Sequence, residues 1–415
     1  MAAVTTDTRH GRDYLALGLM YVAQGIPAGL AFDALGVLIR HGGHGVAEVG
    51  LVGLAFLPWA LKALWAGPVD NACLRWGFTP VILATQGAMA LVCLGLAPFP
   101  PDSRLHAALA GVLLLNTLSA TQDIATNAYA VTRLQGRAAG PANGVQIAGF
   151  ITGMMVGGGG ALMLHPHLGW AGLMAALALL LPALYLPLLV GRGWRADAER
   201  RAARAVQAPV RLRDLARHAD LTAALAVAVL FKFPSTAAST LAKPWMIDRG
   251  LSLPQAGMLQ AGNLALTAAG AVLLGVPLIR RFGVRRAVAL SGGLAMLLLG
   301  AGWALESGGV TAPAALYAGF GAQSFAEGAF YVAIWTLFMN WASRERPGTD
   351  YTAMQSCESV ANAVAASVVG ALAQGHGYAA VFAGAWIAGA VALLAILGLL
   401  PRLSLAGDGM AGDGR

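Results

Sequence analysis

The chain has 415 residues, 58% of them hydrophobic and only 11% charged, with a net charge of +8 and a mean hydropathy of +0.67. A soluble protein carries roughly a quarter charged residues, and single soluble cores stop growing beyond about 250–300 residues. The apolar surplus therefore calls for a lipid-facing exterior and excludes a large soluble domain. The 27 cations face 19 anions, and their placement reads as membrane orientation and not as a nucleic-acid surface. Cys73, Cys93 and Cys357 have neither CxxC spacing nor an even-numbered framework, so no disulfide scaffold or zinc site is expected.

A membrane-crossing helix needs about 20 mostly apolar residues, because lipid offers the backbone no hydrogen-bond partner. Twelve stretches meet this, over 14–39, 48–66, 78–98, 106–131, 142–163, 170–191, 220–246, 254–278, 287–305, 311–340, 351–373 and 379–400. The first contains Gln24, Pro27 and Asp33 and lacks a small-residue cleavage site, so it reads as a retained helix and not a signal peptide. Arg and Lys concentrate in the tails and even-numbered connections, which hold 21 of the 27 cations, including Arg75, Arg133, Arg137, Arg280, Arg281, Arg285 and Arg286. Basic residues are retained on the cytoplasmic side, which places both termini in the cytoplasm.

One connection, 192–219, is long and rich in arginine, and it divides six spans from six. It reads as a positive-inside linker, partly helical through ADAERRAARAV. The expected architecture is an all-α polytopic membrane protein of twelve helices: a six-helix half over 1–191, the linker 192–219 and a second half over 220–415. A shift of 207 residues lays Pro27 on Pro234, Gly43 on Gly250, Glu48 on Gln255 and Gly50 on Gly257. A slipped match sets Gly67-Pro68-Val69-Asp70, Arg75 and Gly77 against Gly275-Val276-Pro277-Leu278, Arg280 and Gly283. These matches indicate homologous halves related by an axis along the membrane normal.

GVPLIRRFGVRR at 275–286 resembles the glycine-and-arginine loop of the major facilitator superfamily, and GPVDNACLRWG at 67–77 a degenerate copy. Further stretches, YVAQGIPAGL, GLAFLPWALKALWAGPVD, SATQDIATNAYAV, NGVQIAGFITGMMVGGGGALML and TDYTAMQS, resemble the AmpG-like branch of muropeptide importers. The resemblance is greatest to its twelve-helix siderophore permeases of the rhizobactin and pyochelin type (RhtX/FptX). Muropeptide members carry two additional helices, for which 415 residues leave no room. The resemblance implies a monomeric permease that imports a small aromatic ferric siderophore by alternating access, with protons as coupling ion. A muropeptide or other amphipathic substrate is the alternative, and a transporter-like sensor without turnover a second.

No GxxxxGK[ST] or GxSxG is present, no loop could hold a catalytic domain, and neither HPH at 165–167 nor HGGH at 41–44 has metalloprotease spacing. No enzyme activity, cofactor or metal is expected. The glycine run Gly157–Gly160 reads as a close-packing element.

The chemistry rests on ionisable residues within the spans, each costly unless it lines a cavity or finds a partner. Asp123 and Glu327, in the counterpart fourth and tenth spans, are the candidates for proton coupling, against a permanent ion pair joining the halves. Lys232, mid-span before Phe233-Pro234, reads equally as substrate contact or internal counter-ion. Depth arithmetic at about 1.5 Å per residue suggests an inner latch of Lys62 with Glu358, Asp70 resting on the N-terminus of the eleventh helix, and an outer latch of Asp33 with Lys243. Gln24, Gln122, Asn127, Tyr129, Gln146, Phe233, Asn263, Gln323, Tyr331, Trp335 and Gln355 complete a candidate substrate set, as does Asn362, against the bland reading of interhelical hydrogen bonds.

Overall fold

The computed structural model describes residues 10–45, 48, 50–185 and 209–406. The arginine-rich stretch 192–204, with its expected helix, and both tails lie outside them, as does the side chain of Lys243. Among the described residues nine helical stretches are long and apolar enough to cross a membrane. They are α1 (Gly11–His41), α2 (Leu51–Trp76), α3 (Phe78–Leu96), α4 (Leu105–Leu134), α5 (Gly136–Ala183), α6 (Leu221–Asp248), α7 (Gly257–Phe282), α8 (Val284–Ser307) and, after the 29-residue α9 (Pro313–Trp341), α10 (Pro347–Arg402). Polar Gln323, Glu327 and Asn340 dilute the hydropathy of α9.

Two stretches are too long for one pass. A straight helix of 48 residues, the length of α5, would run about 72 Å against a hydrocarbon core of about 30 Å. At Gly169 the backbone turns to φ 63°, ψ −179°, and the 56-residue α10 breaks in the same way at Gly377, φ 77°, ψ 165°. These two glycines belong to a wider pattern. Left-handed glycines pair as Gly43 with Gly250, Gly77 with Gly283 and Gly169 with Gly377, at separations of 207, 206 and 208 residues. L side chains rarely adopt this conformation, so the internal repeat is written into the backbone as well as into the sequence.

Contact density groups the chain into two units. The first comprises Met1–Leu134, Gly149–Leu215 and Ala342–Ala353; the second comprises Gln135–Ala148, Ala216–Trp341 and Met354–Arg415. By this grouping the start of α5 falls with the second unit and the start of α10 with the first.

Within the first unit α1 packs on α5 through glycine. A Cβ on Gly157 would meet the Ile26 carbonyl oxygen at 1.9 Å, and one on Gly25 the Phe150 oxygen at 2.1 Å. The second unit uses the same device between α7 and α9, where a Cβ on Gly270 would lie 1.8 Å from the Phe325 oxygen and one on Gly328 1.9 Å from that of Thr267. Small residues let helix backbones approach where lipid supplies no hydrophobic drive. Single π-helical turns at Leu30–Ala34, Val156–Gly160 and Ala271–Gly275 adjoin these contacts. Outward-pointing Leu91, Met163, Leu179, Leu297 and Leu394 are exposed, a surface suited to acyl chains.

Local sequence also places a break where charge will matter. α6 stops at Leu230 and resumes at Phe233, because Pro234 offers no N–H and its ring clashes with the carbonyl four residues earlier. Lys232 occupies the gap.

Candidate functional site: buried charge pairs in each unit

In the first unit the Lys62 ammonium on α2 pairs with the Asp123 carboxylate on α4. Only 3% of Lys62 and 1% of Asp123 is exposed. The Asn127 amide, one turn along α4, donates to the same Asp123 oxygen at 2.9 Å and accepts from the Tyr21 hydroxyl of α1 at 2.6 Å. Trp59 lies 5.0 Å from the ammonium, measured to its ring centroid. Its indole N–H donates to Asn116 Oδ1 at 3.1 Å, and its ring meets Phe150 edge-on. A buried charge is tolerated when paired and hydrogen-bonded, and each of these groups has such a partner. Nearby, the Gln24 amide donates to Thr126 at 2.8 Å, leaving its buried carbonyl oxygen without a donor among the described residues.

The second unit holds a related pair on different helices. The Lys232 ammonium, in the gap of α6, contacts the Glu327 carboxylate on α9 and lies 5.1 Å from the centroid of Tyr331. Glu358 on α10 is close enough for its charge to act on Lys232. The Asn362 amide donates to Glu358 Oε1 at 3.2 Å, while Thr236 on α6 donates to Asn362 Oδ1 at 2.8 Å. Phe231, Tyr331, Trp335 and Phe338 form one aromatic cluster, with Phe231 stacked on Tyr331 at 5.9 Å. One turn before Glu327, buried Gln323 keeps a carbonyl oxygen without a donor among the described residues, as does Asn263 on α7.

Several expected site residues make contacts within the protein. Gln122 donates to Gln86 at 2.6 Å and to the Ile82 carbonyl, joining α4 to α3. Tyr129 donates to Asp13 at 2.6 Å and packs beneath Arg133. Phe233 is exposed and its neighbour Phe231 fills the aromatic cluster instead, because the break in α6 resets the helix phase. Lys62 takes Asp123 as partner, which the depth comparison of the second and eleventh spans alone did not consider. Asp33 sits half-buried against Gly158, Gln146 is buried and Gln355 half-buried. Asp70 accepts from the Gly348 and Thr349 N–H groups, at 3.0 and 2.7 Å, and from the Thr349 hydroxyl at 2.6 Å, at the N-terminus of α10.

Sequence reasoning missed Tyr21, Trp59, Asn116 and Phe231. Tyr21 was findable, since it stands three residues before Gln24 on the same helix face.

The fold has solved counterparts. A bacterial homologue of the iron transporter ferroportin, in an outward-facing state, superposes with a TM-score of 0.72 at 13% identity, covering 94% of this chain and 99% of that one. The proton:xylose symporter of the major facilitator superfamily gives 0.64 at 14% identity, covering 95% of each chain. The chain shares the all-helical fold of these proteins. The family model described as Major Facilitator Superfamily matches residues 225–406, and one described as Acetyl-coenzyme A transporter 1 matches 13–76. The chain is accordingly a multi-pass membrane protein, and its relatives in sequence are AmpG-like at low identity. It is 27% identical over 164 residues to transporter AmpG 4 of Rickettsia conorii, covering 38% of this chain and 40% of that protein, so it spans less than half of that relative's length. It is 26% identical over 377 residues to the anhydromuropeptide permease of Escherichia coli K12, covering 86% of this chain and 73% of the permease.

Proposed function

We propose that the protein is a proton-coupled secondary transporter of the bacterial inner membrane that imports muropeptides or closely related sugar–peptide metabolites by alternating access. The observation that carries the substrate is the likeness to the anhydromuropeptide permease, which extends over 86% of this chain. The siderophore expectation finds no support among the relatives. The ferroportin homologue is 13% identical, a likeness of fold that says nothing of iron. We read α5 and α10 as two passes each and α9 as a further one, which makes twelve and puts both termini on one side of the membrane; the placement of arginine favours the cytoplasmic side.

The chemistry of the second unit suits such a substrate. The half-buried Tyr331 ring offers a face to a sugar, the Lys232 ammonium beside it attracts a carboxylate, and the acceptor oxygens of Gln323 and Asn263 take hydroxyl or amide protons. Asp123 and Glu327, paired with Lys62 and Lys232, are the carboxylates to which we assign the proton. The test is uptake into vesicles carrying the protein, with labelled anhydromuropeptide and a labelled ferric aromatic chelate offered separately. Accumulation of the muropeptide alone is expected. Accumulation of the chelate alone would restore the siderophore reading, and binding of either without accumulation would make the protein a sensor.

A further inference from the structure

The two ion pairs differ in how firmly the acid is held. Asp123 accepts from Lys62 and from the Asn127 amide, and 1% of it is exposed. Glu327 takes a single donor among the described residues, the Lys232 ammonium, and 24% of Lys232 and 14% of Glu327 is exposed. Charge exposed within a span faces water and not acyl chains, because an ionised side chain in hydrocarbon is costly. A solute arriving from water therefore meets the second pair, and one contact is all it must break to release the acid.

The surroundings of Lys232 define what that solute must carry. The Lys232 carbonyl accepts the Thr236 N–H at 2.9 Å where the second segment of α6 begins, so the main chain is held and the ammonium is the part left to change partner. Gln323 precedes Glu327 by four residues on α9, about 6 Å along the axis and on the same face. It is 5% exposed, and its buried carbonyl oxygen has no donor among the described residues. A buried acceptor without a donor costs free energy, so a ligand gains by bringing an N–H or O–H to it. Tyr331, four residues after Glu327, sets its ring 5.1 Å from the ammonium. An ammonium and an acceptor one helical turn apart match a carboxylate whose neighbouring carbon bears an amide N–H. We propose that this site binds an N-acylated amino-acid end of the substrate, with the carboxylate replacing Glu327 on Lys232 and the amide N–H donating to Gln323 Oε1.

The exchange also carries the proton. The arriving carboxylate adds one negative charge where Lys232 already feels Glu327 and Glu358. The displaced Glu327 takes one proton from the aqueous side onto a carboxylate oxygen; a single O–H bond forms, and the charge of the site is as before. The titratable groups about the pair within its unit are Tyr331 on α9 and Glu358 on α10, while α7 and α8 bear charge only near their ends, at Arg280, Arg281, Arg285, Arg286 and Glu306. Departure of the ligand returns the ammonium to Glu327 and expels the proton, so substrate and proton travel together.

This assignment deepens the sugar–peptide reading and rests on it, and small probes separate the two. Full-length protein in micelles is titrated calorimetrically with N-acetylalanine, its carboxamide, O-acetyllactate and anhydromuropeptide, in buffers of differing ionisation enthalpy, which counts protons. The wild type is expected to take up one proton with each N-acetylalanine or anhydromuropeptide bound, and to bind the carboxamide about tenfold more weakly, as loss of a hydrogen bond to a charged group implies. Glu327→Gln is expected to bind the acid more tightly than the wild type and without proton uptake. Gln323→Leu is expected to abolish the preference for N-acetylalanine over O-acetyllactate, whose ester oxygen replaces the N–H, and to keep the proton uptake. No binding of N-acetylalanine, equal binding of acid and carboxamide, or undiminished proton uptake in Glu327→Gln would overturn the assignment; the acid–carboxamide and Gln323→Leu comparisons decide it should Glu327→Gln not fold. N-acetylalanine bound with its proton, but no binding of anhydromuropeptide, would remove the sugar–peptide reading and leave the assignment standing. Anhydromuropeptide accumulated in vesicles while acid and carboxamide bind alike would do the reverse.

Discussion

Replacing Lys62 by Met removes the ammonium from a site where 3% of the lysine and 1% of Asp123 is exposed. Asp123 would keep the Asn127 amide at 2.9 Å but lose its counter-charge, and breaking a buried pair from one side costs about 3–5 kcal/mol. The first unit has roughly 200 residues, for which each kcal/mol moves the melting point by about 2–4 °C. Lys62→Met should therefore melt about 6–20 °C below the wild type. The double variant Lys62→Met/Asp123→Leu should recover most of that loss, because an apolar pair of similar volume costs little. The chain supplies its own probe: Cys73 and Cys93 are buried and Cys357 half-buried, so a thiol-reactive fluorophore reports unfolding in detergent. A single variant that melts with the wild type, or a double variant no better than the single, would refute the claim that the pair is desolvated.

Glycine packing gives a second contrast. Gly157→Val should cost at least about 1–3 kcal/mol, since its Cβ would meet the Ile26 oxygen at 1.9 Å, whereas Gly159→Ala, with no atom within 4 Å of its Cβ, should melt like the wild type. Trp59→Phe leaves Asn116 Oδ1 without its indole donor and should cost about 1–3 kcal/mol, read in the same thermal assay. Asp70→Ala deprives two backbone N–H groups and the Thr349 hydroxyl of their acceptor. It should lower the melting point by an amount equivalent to about 1–3 kcal/mol and speed hydrogen exchange at Gly348 and Thr349.

Much of the architecture was legible because the membrane imposes a crude code. Length of apolar run and arginine placement mark the passes, and the shift of 207 residues that aligns Gly43 with Gly250 reappears as three pairs of left-handed glycines. Asp123, Glu327, Lys62 and Lys232 stood out because an ionisable group within an apolar run demands an explanation. Which of them meet did not follow from depth alone. Lys62 and Asp123 lie on helices joined through α3, and their azimuths depend on how α2 and α4 rotate about their axes, which hydropathy does not encode. The aromatic site shifted from Phe233 to Phe231 for a local reason: Pro234 ends one helix and starts another, so positions on either side are not in phase. Gln122 donates to Gln86 and Tyr129 to Asp13, contacts that sequence could not supply, because a buried amide or phenol looks the same there whatever its partner.

The central claim is that a proton gradient drives a sugar–peptide through this fold. Proteoliposomes containing the wild-type protein, with an acidic exterior, should concentrate labelled anhydromuropeptide above its external level, and a protonophore should return it to equilibrium. Equal internal and external levels regardless of the gradient would contradict proton coupling, and no entry at all would contradict the account as a whole.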